Sequence, residues 1–487
     1  MKKLAIFIVI ISLVACENEI INLTPISELT TSNFFESEVD FNNALTAAYD
    51  VLQEKNSIDW IMSEIKSDNG TEVKYQSEKD IDNFSVSPTN ELISQFWKIA
   101  YKGIFRTNII LEKIPGVEFD NTKKDRIIGQ AKFIRAYIYF DLVRYFGDVP
   151  LATKVLKLTE SIEHKRNSVD EVYQQIETDL QEAAALLPSV YSDPKDIGRV
   201  TKGAANALLA KVYLTRGKYS ESKTKLEEVM GDTQASYQLL PSFKDVFSLS
   251  NQNSKEILFA IQYSNGTGGE GNDFMNEFGP GTPGSDVSPG VGAEHNLPTV
   301  DLIRAFEPGD TRKDATLREY IVHPTTLDTV NNPYNRKFLV NQNVNDCGLD
   351  WPVIRYSDVI LMYAEVLNEL DDLSGAINQL NRIRERAFGD QLHNFDLSSI
   401  PTKEEFRIKV LNERRVELAF ENHRWFDLVR TGKALEFLQV ENRLEDWKKG
   451  AILISFELNM EPFETLYPIP LDEIEISEGN LTQNDGY

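Results

Sequence analysis

The chain carries five histidines, His164, His295, His323, His393 and His423, and no two stand at a spacing that would hold a metal between them. No His-Glu-x-x-His run, no glycine loop ending in Lys-Ser/Thr and no Gly-x-Ser-x-Gly elbow occurs. The run Gly266-Thr267-Gly268-Gly269-Glu270-Gly271 has the glycine spacing of a dinucleotide site and follows a strand-like segment. That chemistry needs a helix opening at the last glycine, with its free N–H groups aimed at a pyrophosphate. Here the chain continues through Asn272, Asp273 and Phe274 to Gly279-Pro280-Gly281, and no βαβ pattern surrounds it. With 76 aspartates and glutamates, two carboxylates will lie close by chance, so no glycosidase pair can be singled out. The sequence therefore assigns no catalytic residue, no metal ligands and no cofactor.

Aromatic residues offer binding without reaction. A sugar presents a flat CH-rich face ringed by hydroxyls, which suits an exposed aromatic plate flanked by planar polar groups. Of the five tryptophans, Trp97 starts a run with Tyr101 and Phe105 at four-residue spacing and reads as core. Trp425, in an amphipathic helix beside Phe426, also reads as core, and Trp447 reads as helix surface. Trp60 and Trp351 fall near turns outside the long helices and are, with Tyr75, the aromatic candidates for ligand contact.

The amino terminus is Lys2-Lys3 followed by the apolar run Leu4 to Val14, too short to span a bilayer stably. It ends Leu13-Val14-Ala15-Cys16, which resembles a bacterial lipobox. Residues 1–15 then form a lipoprotein signal peptide, Cys16 receives the lipid, and residues 16–27 form the lipidated cysteine and a polar tether. Several acyl chains on one cysteine suffice for stable anchoring. The second cysteine, Cys347, reads as a small buried hydrophobe. A net charge of −25 repels phosphate backbones and argues against nucleic acid as a partner.

The elements that must position these residues are mostly helical. Apolar periodicity predicts helices over 41–53, 91–113 and 126–146, the last apolar on most sides. Capping boxes at Ser168–Glu171 and Thr402–Glu405 open two more, the second running as one helix or a pair to Arg430. Another helix spans 202–216. Strands are few: Ile257 to Tyr263 and, more weakly, Ala451 to Phe456. Leu209, Ala210, Tyr213, Ser222 and Leu226 fit a tetratricopeptide register, and Tyr363, Ala364, Leu367, Ala376 and Leu380 fit it less fully. Gly266 to Gly292 holds nine glycines and three prolines and predicts a long surface loop.

Several blocks, in order, resemble the SusD/RagB family of nutrient-uptake outer-membrane lipoproteins of Bacteroidetes. They are Trp97 to Asn108, Ala131-Lys132-Phe133-Ile134-Arg135-Ala136-Tyr137, Tyr145 to Leu151, Ile354 to Val359, Asn412 to Arg415, Arg424 to Leu428, Tyr467 to Pro470 and Gln483 to Tyr487. The resemblance implies a mainly all-α fold, a SusD-like superhelix of four tetratricopeptide-like units with a loop-rich irregular half and a few short strands. It implies an N-terminal part over 28–263 and a C-terminal part over 264–487. It implies a lipid-anchored, surface-facing place at the outer membrane and a SusC-like TonB-dependent transporter as partner. The function implied is glycan capture without catalysis; a peptide ligand, as in the RagB branch, is the alternative. Asp68 matches a position used for polar ligand contact, and Arg355 one sometimes used from the opposite side. Glu413, Arg414 and Arg415 are expected to form buried ion pairs.

Overall fold

The computed structural model describes residues 34–487, apart from residues 73, 267, 282–291, 324, 341–344, 439, 446–451 and 458–459. Cys16, the tether and Trp447 lie outside the described residues, as does the middle of the glycine-rich segment.

Ten helices carry the architecture. They are α1 (Glu38–Trp60), α2 (Glu91–Lys113), α3 (Asn121–Phe146), α4 (Val169–Leu186) and α5 (Lys202–Thr215). These are followed by α6 (Tyr219–Met230), α7 (Tyr356–Glu369), α8 (Leu373–Phe388), α9 (Lys403–Glu417) and α10 (Arg424–Arg430). From α1 to α8 each helix packs on the next, giving four stacked pairs, α1/α2, α3/α4, α5/α6 and α7/α8, with α9 laid against α7. This is the tetratricopeptide-like array expected, in which each unit buries its apolar face on its neighbours.

The small residues of the repeat register allow that approach. Ser222 of α6 is fully buried, and its hydroxyl donates to the Ala210 carbonyl of α5 at 2.8 Å. Ala364 and Ala376 are likewise buried where α7 meets α8. Both capping boxes form, with Glu171 and Glu405 accepting from the backbone N–H groups of Ser168 and Thr402.

One helix boundary differs from expectation for a physical reason. α1 runs past Gln53 to Trp60 and on through a π-turn at Ile61–Ile65. The inward residues there include Lys55 and Asp59, which break the apolar pattern; Lys55 is buried between Asp59 at 2.7 Å and Asp141 at 2.5 Å. The segment after Thr402 is a helix pair, because Phe420 and Asn422 take positive φ between α9 and α10.

Among the described residues the strands form four two-stranded antiparallel pairs. β1 (Gly70–Thr71) pairs with β3 (Leu297–Pro298), β2 (Ile257–Ile261) with β6 (Trp351–Arg355), β4 (Leu317–Val322) with β5 (Thr329–Asn335), and β7 (Val440–Glu445) with β8 (Ile452–Glu457). One continuous cluster of buried apolar side chains runs from Phe41 to Leu481 through the helices and the strand-bearing region.

Candidate functional site

The end of α1 and the short β1–β3 ladder bring together two segments more than two hundred residues apart. Gly70 pairs with Pro298 and Thr71 with Leu297. A Cβ at Gly70 would stand 2.2 Å from the Asn296 side-chain oxygen, so a larger residue there would displace that buried amide. The ladder sets Glu72 and Tyr75 beside Glu294 and His295. Tyr75, the residue before the short helix Gln76–Asp82, is 57% exposed, and its ring stacks on the His295 imidazole at 5.2 Å and 16°. His295 is buried, and the Trp60 ring lies behind it at 6.1 Å. Trp60 in turn meets Phe278 edge-on at 5.1 Å. The result is a solvent-facing phenol ring backed by two further aromatic layers.

The rim is acidic. His295 Nδ1 stands 2.7 Å from Glu72 Oε2 and 3.2 Å from Glu78 Oε2, and its Nε2 stands 3.6 Å from Glu277 Oε2. Burial disfavours the imidazolium, but the hydrogen bonds to Glu72 and Glu78 outweigh it and push the ring up to about 10. Burial raises the Glu78 carboxyl, and it raises Glu277, which also feels Asp273. Beside the cluster Lys74 pairs with Glu294 at 3.4 Å and donates to the Ala293 carbonyl. Glu294 accepts from the Gly281 N–H at 2.7 Å, which ties the glycine-rich segment to the platform.

That segment is not wholly a surface loop. Phe274–Phe278 form one helical turn, and Phe274, Met275 and Phe278 are buried in the core. Three large apolar residues among the glycines anchor it there, which the glycine and proline content concealed.

Of the five residues proposed from sequence, only Tyr75 has an exposed side chain. Trp60 is buried beneath His295 and offers no plate to solvent. Trp351 is 1% exposed and stacks on Phe338 at 4.2 Å; its place near a turn is the end of β6, which faces the core. Arg355 is also 1% exposed. It pairs with Glu256 at 2.9 Å, Glu417 at 3.0 Å and Glu421 at 2.6 Å, so its guanidinium is consumed within the scaffold. Asp68 is buried and held by Arg424 through bonds of 2.7 and 2.8 Å, with Arg415 at 3.2 Å. Burial would raise its carboxyl, but Arg415 and Arg424 hold it down at about 2.

The expected ion pairs of α9 are present: Glu413 meets Arg312 at 2.7 Å, and Arg414 meets Asp358 at 2.8 Å and Asp427 at 2.7 Å. Cys347 is a free, buried thiol. Trp97 and Trp425 are core residues, as their spacing predicts. Sequence reasoning missed His295, Glu72, Glu78 and Glu277. The distance along the chain hides the cluster, and only the pair Glu294-His295 closing the glycine-rich segment hints at it.

With fold and platform defined, comparison with known proteins is informative. Residues 323–487 match the model described as SusD family, and residues 22–214 match one described as starch-binding associating with outer membrane. The chain belongs to the SusD family. SusD-like protein P25 of Formosa agariphila is 27% identical, covering 98% of each chain. SusD-like protein P2 of the same organism is 27% identical over 100% of this chain and 99% of its own. Among solved structures, a laminarin binding SusD-like protein is 29% identical with a TM-score of 0.76, covering 93% of this chain and all of that one. Surface glycan-binding protein A from Bacteroides thetaiotaomicron, in complex with laminarihexaose, shares the fold at 23% identity and a TM-score of 0.76, over 91% of this chain and 98% of its own. The SusD resemblance read from the sequence blocks is thus borne out, and so is the helical repeat fold. No described helix is long and apolar enough to cross a membrane.

Proposed function

We propose that this chain is an outer-membrane lipoprotein, anchored through Cys16 and facing outward, that binds an oligo- or polysaccharide and passes it to a SusC-like TonB-dependent transporter without chemistry. The observation that carries the reading is Tyr75: an exposed flat ring stacked on the buried His295 imidazole, which fixes its plane. A pre-oriented aromatic loses little freedom when a sugar face stacks on it. The similarity to a laminarin binding SusD-like protein supports the same ligand class.

The test is isothermal calorimetry of the full chain in detergent with laminarin, a panel of other glycans and a panel of peptides, repeated with Tyr75→Ala. Binding of a glycan that weakens in Tyr75→Ala supports the reading. Binding of peptides alone replaces the ligand class, and release of shorter sugars by the pure protein overturns the non-catalytic role. Capture of a TonB-dependent barrel with the lipoprotein from native membranes tests the partner.

A further inference from the structure

We infer that Glu72, Glu78 and His295 form a binding site for one divalent transition-metal ion, zinc being the best fit, which clasps His295, just after the glycine-rich segment, to the stretch from β1 through the short helix Gln76–Asp82. The inference does not rest on the glycan reading.

Three observations carry it. The first is geometric. Glu72 Oε2 and Glu78 Oε2 converge on the same imidazole nitrogen, Nδ1, at 2.7 and 3.2 Å. The three ligand atoms lie within 4.8 Å of one another. Donors about 2.0–2.2 Å from a tetrahedral metal stand roughly 3.4 Å apart, close to the 3.2 Å between Nδ1 and Glu78 Oε2 and about 0.7 Å more than the 2.7 Å to Glu72 Oε2. One N–H can serve only one of the two carboxylates well, whereas a metal serves all three groups.

The second is the outer shell. A metal-bound imidazole usually gives its other N–H to a carboxylate, which fixes the tautomer and the ring plane. Here Nε2 faces Glu277 at 3.6 Å, and the His295 backbone N–H donates to the Glu277 carbonyl at 2.8 Å. Tyr75 and Trp60 pack on the two sides of the ring and hold its orientation. The Glu72 carboxylate is itself oriented, since its Oε1 accepts from the Lys74 N–H at 2.6 Å.

The third is charge. Three carboxylates surround one imidazole in a largely buried setting, an excess of negative charge that a divalent ion offsets. One nitrogen and two carboxylate oxygens suit zinc or manganese better than calcium, which takes six to eight oxygens. On binding, the Nδ1 proton leaves to solvent and the metal takes its place. Three protein ligands leave a fourth position for water.

The test uses the full chain in detergent, without an affinity tag, stripped with chelator and then dialysed against Zn2+, Mn2+ or Ca2+ alone. The expected result is about one Zn2+ retained per chain by mass-spectrometric metal analysis and a rise in melting temperature with Zn2+ that chelator reverses. Glu78→Gln, which keeps the side chain's size and removes its charge, should abolish stoichiometric retention. Glu277→Gln should lower zinc affinity about 10–100-fold while stoichiometry persists at high metal. Retention below stoichiometry in the parent protein, or retention unchanged in Glu78→Gln, overturns the site. Repeating the glycan titration in chelator separates the two readings: glycan binding there with no metal retained by the parent protein sinks this inference alone, and metal retention without glycan binding sinks only the other.

Discussion

Around Glu417 the buried cations Arg312, Lys337, Arg355, Arg384 and Arg386 meet the buried carboxylates of Glu256, Asp310, Glu413, Glu417 and Glu421, charge for charge. Around His295 one imidazole meets three carboxylates. The first cluster sits under α9, where β6 runs into α7, and it is closed: each charge finds its complement inside the protein. The second lies at the β1–β3 ladder below an exposed ring, and among the described residues its carboxylates outnumber the imidazole they surround three to one. The contrast teaches where to look for function in a highly charged protein. A matched buried network is scaffold, since removing a partner leaves an uncompensated charge. An unmatched one beside solvent has capacity left for a ligand or an ion.

The sharpest way to break the comparison is Arg355→Met. It leaves Glu256, Glu417 and Glu421 to Arg386, Arg312 and Lys337 alone, one positive charge short, and a loss of about 3–5 kcal/mol in unfolding free energy by urea titration is expected. Ligand binding by the protein that remains folded should be unchanged; a selective loss of binding would return Arg355 to the site. Trp351→Ala tests the same distinction in the apolar core, with a cavity cost of about 3–5 kcal/mol and no selective effect on binding.

A smaller effect concerns pH. The Asp68 carboxyl is held down at about 2, against 3.8 ordinarily, by Arg415 and Arg424. A group depressed on folding stabilises the native state above its unfolded pKa and loses that contribution as pH falls through its folded pKa. Asp68 should therefore contribute about 2 kcal/mol that is intact above pH ~4 and fades toward pH ~2. Melting curves of the parent should show this slope, and Asp68→Asn should lack its share of it.

The smallest stability effect and the largest specific one should coincide at Tyr75. Tyr75→Ala should shift unfolding free energy by no more than about 0.5 kcal/mol, as for an exposed residue. The same change should weaken glycan binding roughly 30-fold, the loss typical of a central aromatic contact. If stability fell and binding did not, the platform would be scaffold like Trp351.

Sequence by itself determined the helical framework. Periodicity placed α2 at Glu91–Lys113, the capping boxes of Ser168 and Thr402 opened α4 and α9, and the small residues Ala210 and Ser222 marked a close helix pair. These are local signals, fixed by residues three to twelve apart, and they survive into the fold because packing reinforces them. The family blocks were legible for the same reason: most are core and ion-pair residues of that framework, Arg135 with Asp179 and Arg414 with Asp358 among them.

Only the tertiary structure decided the site. Whether Trp351 or Tyr75 faces solvent depends on what is packed against each, and both sit near turns in the sequence. Asp68 and Arg355 are polar residues that suit ligand binding as well as a buried ion pair, and only their partners, up to hundreds of residues distant, tell the two apart. The Glu72–Glu78–His295 cluster is the extreme case. Its members carry no shared spacing, because a two-residue ladder at Gly70–Thr71 and Leu297–Pro298, not the local chain, holds them together.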